Sequence, residues 1–355
     1  MTVALLNPTE SDPANVIAAR QSRVTLRKTL ISCAALAGAL LLALLVLSLI
    51  GSERLPARAS LCALLSFGTN SCGLTQDQFD ILFQIRVPRL LLAAAVGASL
   101  ATAGASYQAL LRNPLAEPYL LGISNGAAVG TMIALVFFGA NEASRPVLAF
   151  AGSLLATLAV YRLARGRAGA TPERLILAGV IVTTFLSSVI VFVTTLMDAT
   201  RIRSFTFWLL GDLSGTSKTL LPATITIAVL GAIALTLNAR SLNLLMLGER
   251  DAFDLGVEVG RVRIVVFVVA SLLVGSSVAA SGSVGYVGLV VPHLARLSLG
   301  SDNRISIPAA ALGGALFVIV ADTVARTVIA PRELPVGAIT ALIGAPLFIY
   351  LLKRA

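Results

Sequence analysis

Long apolar runs, each closed by a short polar or basic stretch, recur along the chain from about residue 29 to the C-terminus. The runs fall at 29–51, 87–110, 119–139, 146–164, 174–197, 219–238, 262–280, 284–300, 306–329 and 335–352. A helix of about 20 residues spans about 30 Å, the thickness of a bilayer core, so each run is long enough for a membrane helix or close to it. The pattern therefore predicts an all-α, polytopic membrane protein of about ten transmembrane helices. The run at 284–300 is short and contains both Gly and Pro. The segment 203–215 is too short to span and predicts a half-helix in the interface or re-entering, with Trp208 at headgroup depth.

Two organisational units follow: a polar cytoplasmic tail, 1–28, and a single transmembrane domain, 29–355. An A-x-A-like site at Ala57-Arg58-Ala59 raises a signal peptide, but the first apolar run and the leader before it are too long for one. Alternating ten spans from an inside N-terminus places 17 of the 27 Lys and Arg residues inside, the tail, Arg167 and Arg354 included. That bias predicts N-in and C-in. Small residues at helical spacing, Gly97/Ala101 and Gly275/Ala279, predict close helix packing.

Composition agrees with the pattern: 57% of residues are hydrophobic and 12% charged, about half the charged fraction of soluble domains. The net charge of +10 lies between apolar runs rather than on one basic stripe, which argues topology and not nucleic-acid binding. There is no G-x-x-x-x-G-K-[ST] phosphate cradle, so ATP hydrolysis is not expected of this chain. His293 is the single histidine, with no second His or Cys pair at metal spacing. No metal site, cofactor or catalytic set is expected, and His293 reads as a packing or hydrogen-bonding residue.

Four stretches carry a resemblance. Residues 86–126 open with Arg86-Val87-Pro88-Arg89 and close with Asn113-Pro114-Leu115-Ala116-Glu117-Pro118 and Leu121-Gly122-Ile123-Ser124-Asn125-Gly126. The others are LLMLGERDAFDLGV at 244–257, GSVGYVGLVVPHLARL at 282–297 and ELPVGAITALIGAPLFIYLLKR at 333–354. In this order they resemble the permease subunits of ABC importers for iron–siderophores, haem and cobalamin. The resemblance implies a homodimer in the bacterial inner membrane, two ATPase subunits at the cytoplasmic loops, an extracytoplasmic substrate-binding protein, and a metal-chelate substrate. Iron chelates, haem included, come first and cobalamin second. An ion-coupled secondary transporter, which would rest on intramembrane carboxylates, is the alternative of a different class.

The same resemblance assigns roles. Arg86 and Arg326 match arginines that meet glutamates of the binding protein, and Arg89 and Arg332 join them as a docking set, against snorkelling anchors as the ordinary alternative. Gly248, Glu249, Arg250, Asp251, Phe253, Asp254, Leu255 and Gly256 fall in the segment implied to be the ATPase-coupling helices. Asn113, Pro114 and Leu115, with Thr171, Pro172 and Glu173, match the cytoplasmic gate, although Pro172 and Glu173 stand where some relatives carry small hydroxyl residues. From the residues alone, Asp322 is an intramembrane charge four positions before Arg326, placed to orient it or to face a water-filled path. Cys62 and Cys72 lie in the loop placed outside, either as a disulfide or as two free thiols.

Overall fold

Each apolar run forms a helix because it offers the backbone its own hydrogen bonds where the bilayer offers none. The computed structural model describes residues 26–138, 143–166, 169–215 and 220–353. Most of the tail 1–28, together with Arg167 and Arg354, therefore lies outside the described residues. Among the described residues fourteen helices follow in order. They are α1 (Leu26–Leu49), α2 (Ala57–Leu65), α3 (Gln76–Leu110), α4 (Ile123–Phe138), α5 (Ser144–Ala164), α6 (Pro172–Thr194), α7 (Ala199–Leu209), α8 (Leu220–Leu237), α9 (Ala239–Leu247), α10 (Glu249–Asp254), α11 (Val259–Ser281), α12 (Val287–Leu299), α13 (Asn303–Thr327) and α14 (Val336–Leu352). Seven of them are long and apolar enough to cross a membrane, and α4, α12 and α14 are shorter apolar helices. Strand pairing among the described residues is a two-residue ladder, β1 (Arg165–Gly166) with β2 (Gly169–Ala170).

α3 is the axis of the bundle. Nineteen of its residues between Arg89 and Leu110 are buried, and α8, α11, α12 and α13 pack around it. Close approach is bought with small side chains. A methyl group on Gly97 would collide with the Gly314 carbonyl of α13, and one on Gly314 with Gly97 and Ala101. The spacing of small residues thus sets the α3–α13 contact. Gly275 meets Ser153 of α5 in the same manner.

Four boundaries differ from the pattern-based expectation. α3 begins at Gln76, not near 87, because a Thr75/Gln78 capping box starts it and Leu82 packs on Ala63 and Leu74. A left-handed Gly122 separates a one-turn 3-10 helix, Pro118–Leu121, from α4 in the run placed at 119–139. The half-helix placed at 203–215 is instead α7, started by an Asp198 cap on the Arg201 N–H, and residues after Leu210 are not helical. The run placed at 284–300 begins only at Val287, after the unwound segment 282–286.

That unwound segment lies within the bundle, not in an outer loop. The Tyr119 hydroxyl donates to the Val284 carbonyl at 3.0 Å and accepts from the Val284 N–H at 2.9 Å. Glu117 Oε1 accepts from the Tyr286 N–H at 3.2 Å. Irregular backbone at membrane depth is stable only when protein supplies its partners, and these two side chains do so.

The ends of the bundle sort as the charge count requires. At one end Lys28 Nζ donates to the Leu299 carbonyl, and Asn243 bonds Asp302 and Asn303. At the other, Arg86 and Arg89 in the first half of α3 bond the end of α1 and the last turns of α13.

Candidate functional site

The outer end gathers charges that the sequence scatters over nearly 250 positions. Arg86 is buried and donates to the carbonyls of Ser48 at 3.1 Å and Leu49 at 3.2 Å, and to that of Glu53. It thereby satisfies the open carbonyls at the C-terminus of α1. Arg89, one turn on, grips Asp322 through Nε at 3.0 Å and Nη2 at 2.9 Å. Its Nη1 donates to Glu333 Oε2 at 2.8 Å. Arg326 Nε stands 3.5 Å from Asp322 Oδ2, and its Nη2 donates to the Leu47 carbonyl at 3.3 Å.

Asp322 is 0% exposed, so its charge must be paired, and two guanidinium groups pair it. The i,i+4 contact with Arg326 is present, but Arg89 is the nearer and bidentate partner. Sequence spacing indicated the first because it lies on one helix; the second joins α3 to α13, and no local signal announces it. A cavity of about 160 Å³ touches Arg86, Arg89, Arg326 and the half-exposed Glu333 together. Arg332 is exposed on the loop beyond α13, outside that cavity. Cys62 and Cys72, on the neighbouring outer segment, are joined by a disulfide with Cα atoms 6.0 Å apart.

The inner end carries the second cluster. The charged segment 240–263 folds as α9, α10 and the first residues of α11, and α9 and α10 meet at Gly248, whose φ of 145° and ψ of 152° belong to glycine alone. Glu249 opens α10 and lies 2.5 Å from Arg263 at the base of α11 and 3.6 Å from Arg112 in the turn after α3. Arg250, Asp251, Asp254 and Gly256 are exposed, and so are Leu247, Phe253 and Leu255, with Phe253 at 68%. Exposed apolar groups rimmed by charge are unusual on a surface facing water and mark a contact surface.

Arg112 ties that surface to the candidate gate. It precedes Asn113, Pro114 and Leu115, where Asn113 Oδ1 accepts from the Leu115 N–H at 2.9 Å and holds the turn. Thr171 and the buried Pro172 start α6, and hydrogen bonds from its own backbone and from Thr171 act first on the exposed Glu173 carboxyl, with a smaller contribution from the charges of Arg112 and Arg263. The 3-10 turn that follows packs on α6, where Asn125 Nδ2 donates to the Thr183 carbonyl at 3.1 Å and to Ser187 Oγ at 2.7 Å.

Three groups escaped the sequence reading. Burial pushes the Glu117 carboxyl above the usual carboxylate range, and the Tyr286 N–H offsets part of that. Asp302 caps α13 and accepts from Asn243 and Arg304; these bonds outweigh its burial and hold its carboxyl below the usual range. Arg296 donates to Gln108 Oε1 across α12 and α3. Of these, Glu117 and Arg296 sit inside stretches that carry the resemblance, and Asp302 lies outside them. His293 packs edge-on against Phe348, ring centroids 6.1 Å apart.

A many-helix membrane bundle with paired cytoplasmic surface helices and a charged outer rim defines a transport permease. The chain matches the model of the FecCD transport family over residues 23–354, and it belongs to that family. It is 42% identical over 281 residues to the cobalamin import system permease protein BtuC of Halobacterium salinarum, covering 79% of this chain and 75% of that one. It is 40% identical over 320 residues to the hemin transport system permease protein HmuU of Yersinia pestis, covering 88% and 94%. Among solved structures, an inward-facing ABC transporter of metal-chelate type superposes with a TM-score of 0.80 at 30% identity, over 91% of this chain and 99% of that one. The chain is an ABC importer permease, a multi-pass membrane subunit and not the ATPase.

Proposed function

We propose that the chain is one half of a homodimeric permease that carries an iron chelate, a ferric siderophore or haem, across the inner membrane. Two ATPase subunits act from the cytoplasm and one binding protein delivers the ligand from outside. The observation that carries the mechanism is the α9–α10 pair: exposed Leu247, Phe253 and Leu255 offer a partner a hydrophobic hold, while Glu249 ties the same element to Arg112 and Arg263. Movement imposed on α10 by a nucleotide-driven partner is passed by Glu249 to the turn Asn113–Leu115 and to the base of α11. Thr171, Pro172 and Glu173 lie in the path of that motion as the inner gate.

At the outer end, Arg86, Arg89 and Arg326 around one cavity form the docking surface for carboxylates of the binding protein, with Arg332 at its exposed margin. Guanidinium groups suit that task because each presents a planar fork to a carboxylate. Arg89 starts with its fork on Asp322 and Glu333, so its part in docking is to be held in place as much as to reach out.

The haem-named relative supports an iron chelate, since it aligns over nearly the whole of both chains. Cobalamin is the second reading, supported by the relative named for it. The permease is reconstituted in liposomes with its ATPase and with binding protein loaded with ferric siderophore, haem or cobalamin. Stimulation of ATP hydrolysis by an iron chelate alone is the expected result; stimulation by cobalamin alone makes the second reading correct.

A further inference from the structure

Between α5 and α6, with α4 at its back, runs an open groove of about 530 Å³ whose lining is almost wholly apolar. Leu148, Leu155, Ala159 and Leu163 of α5 face Ile181 and Phe185 of α6 across it. From Leu148 to Leu163 the groove follows α5 for about 22 Å, enough for an acyl chain that fills half of a bilayer core of about 30 Å.

The stripes that line the groove end in arginine. On α5, positions 155, 159 and 162 share a face, and Arg162 is the last of them. On α6, positions 174, 178, 181 and 185 share a face, and Arg174 is the first. Arg165 follows directly on α5. The Arg174 guanidinium lies against Gly166, where a methyl group would strike it, so it leans back over the turn that leaves α5. All three arginines are exposed, and none has an acidic partner within 4 Å among the described residues. From Ser144 to Thr194 the one carboxylate is Glu173. The groove itself is lined by apolar residues alone, and helical register sets Arg162 and Arg174 on the same faces beyond its cytoplasmic end.

We infer that this groove binds an anionic phospholipid of the cytoplasmic leaflet, an acyl chain lying along α5 and α6 and the phosphate held by Arg162 and Arg174. Basic pockets between membrane helices select such headgroups, and guanidinium pairs with phosphate through two hydrogen bonds. The site is separate from both the α9–α10 surface and the outer arginine cavity, so it stands whatever the transported ligand proves to be.

The test uses native mass spectrometry of the full-length chain, delipidated in detergent and titrated with phosphatidylglycerol, with phosphatidylcholine, or with glycerophosphoglycerol, which lacks acyl chains. The wild type is expected to retain one phosphatidylglycerol per chain at concentrations where the other two are lost. The R162Q/R174Q variant should retain it at least several-fold less, and Leu155→Trp, which fills the groove and keeps the charges, should do the same. A thermal melt of each variant separates lost binding from lost folding. Equal retention of phosphatidylcholine, or undiminished retention by both variants, overturns the inference. So does a disulfide between two copies bearing Leu155→Cys, which would show that a second chain covers the groove.

Discussion

Asp322 is fully buried in α13 and meets Arg89 at 2.9 Å and Arg326 at 3.5 Å. Neutralising it leaves two buried guanidinium groups short of a counter-charge. Breaking a buried pair on one side costs about 3–5 kcal/mol, whereas replacing both partners by apolar groups costs far less. D322N should therefore lower the melting temperature in detergent sharply, and R89M/D322L should lose less than D322N alone. Equal melting of D322N and wild type would show that the cluster is not held by charge pairing. The sequence exposed Asp322 as a costly intramembrane charge, and the four-residue step to Arg326 was readable from helix geometry. Its closer bond to Arg89 crosses 233 positions and depends on how α3 packs on α13, which no local pattern encodes.

At the scale of single elements, Asp302 and Gly248 carry separable effects. Asp302 is the N-cap of α13, accepting from the Arg304 N–H at 2.9 Å, and replacing such a cap by Ala costs about 0.5–2 kcal/mol. Its carboxyl is held below the usual aspartate range, so its contribution is whole above about pH 4 and is lost as the pH falls through its lowered folded value. Thermal unfolding followed down the acid arm should fall less steeply in D302A than in the wild type, and parallel acid arms would refute this. Gly248→Ala forces a side chain into a φ of 145°, a strain of about 1–3 kcal/mol, and resets the angle between α9 and α10. The variant should co-purify with the ATPase subunit less well while its α3 core still melts cooperatively; unchanged co-purification would remove α10 from that contact.

Element boundaries show where reading a pattern stops. Apolar length marked the spans, since a run that fills the bilayer has few other solutions. The break at 282–286 was legible only in part: residues 281–283 fall between two apolar runs, whereas Val284, Gly285 and Tyr286 read as the start of the second. Its unwinding is stabilised by Tyr119 and Glu117 from a distant loop. α7 starts before the apolar stretch because the Asp198 cap, and not the apolar pattern, fixes its beginning.

For the whole molecule, the two charged ends are joined by α3 and the helices packed around it. The outer end presents guanidinium groups around one cavity, and the inner end presents an apolar contact surface tied by Glu249 to the turn after α3. E249A removes the partner of the buried Arg263 as well as the exposed pair with Arg112, so it should lower the melting temperature somewhat while the bundle stays folded, yet it should uncouple ATP hydrolysis from uptake. Uptake and hydrolysis that fall together in E249A would place its role in assembly and not in transmission. The family's motifs made both ends recognisable by residue. The internal partners of those residues, Glu333 for Arg89 and Arg263 for Glu249, emerged only from the packing.

The most direct measurement is ATP hydrolysis by the permease in liposomes with its ATPase subunit, with and without loaded binding protein, for the wild type and for Phe253→Ala. The account predicts that loaded binding protein stimulates the wild type and that Phe253→Ala loses most of this stimulation while remaining folded in the membrane. Failure of the wild type to associate with any ATPase subunit, or full stimulation of Phe253→Ala, would contradict it.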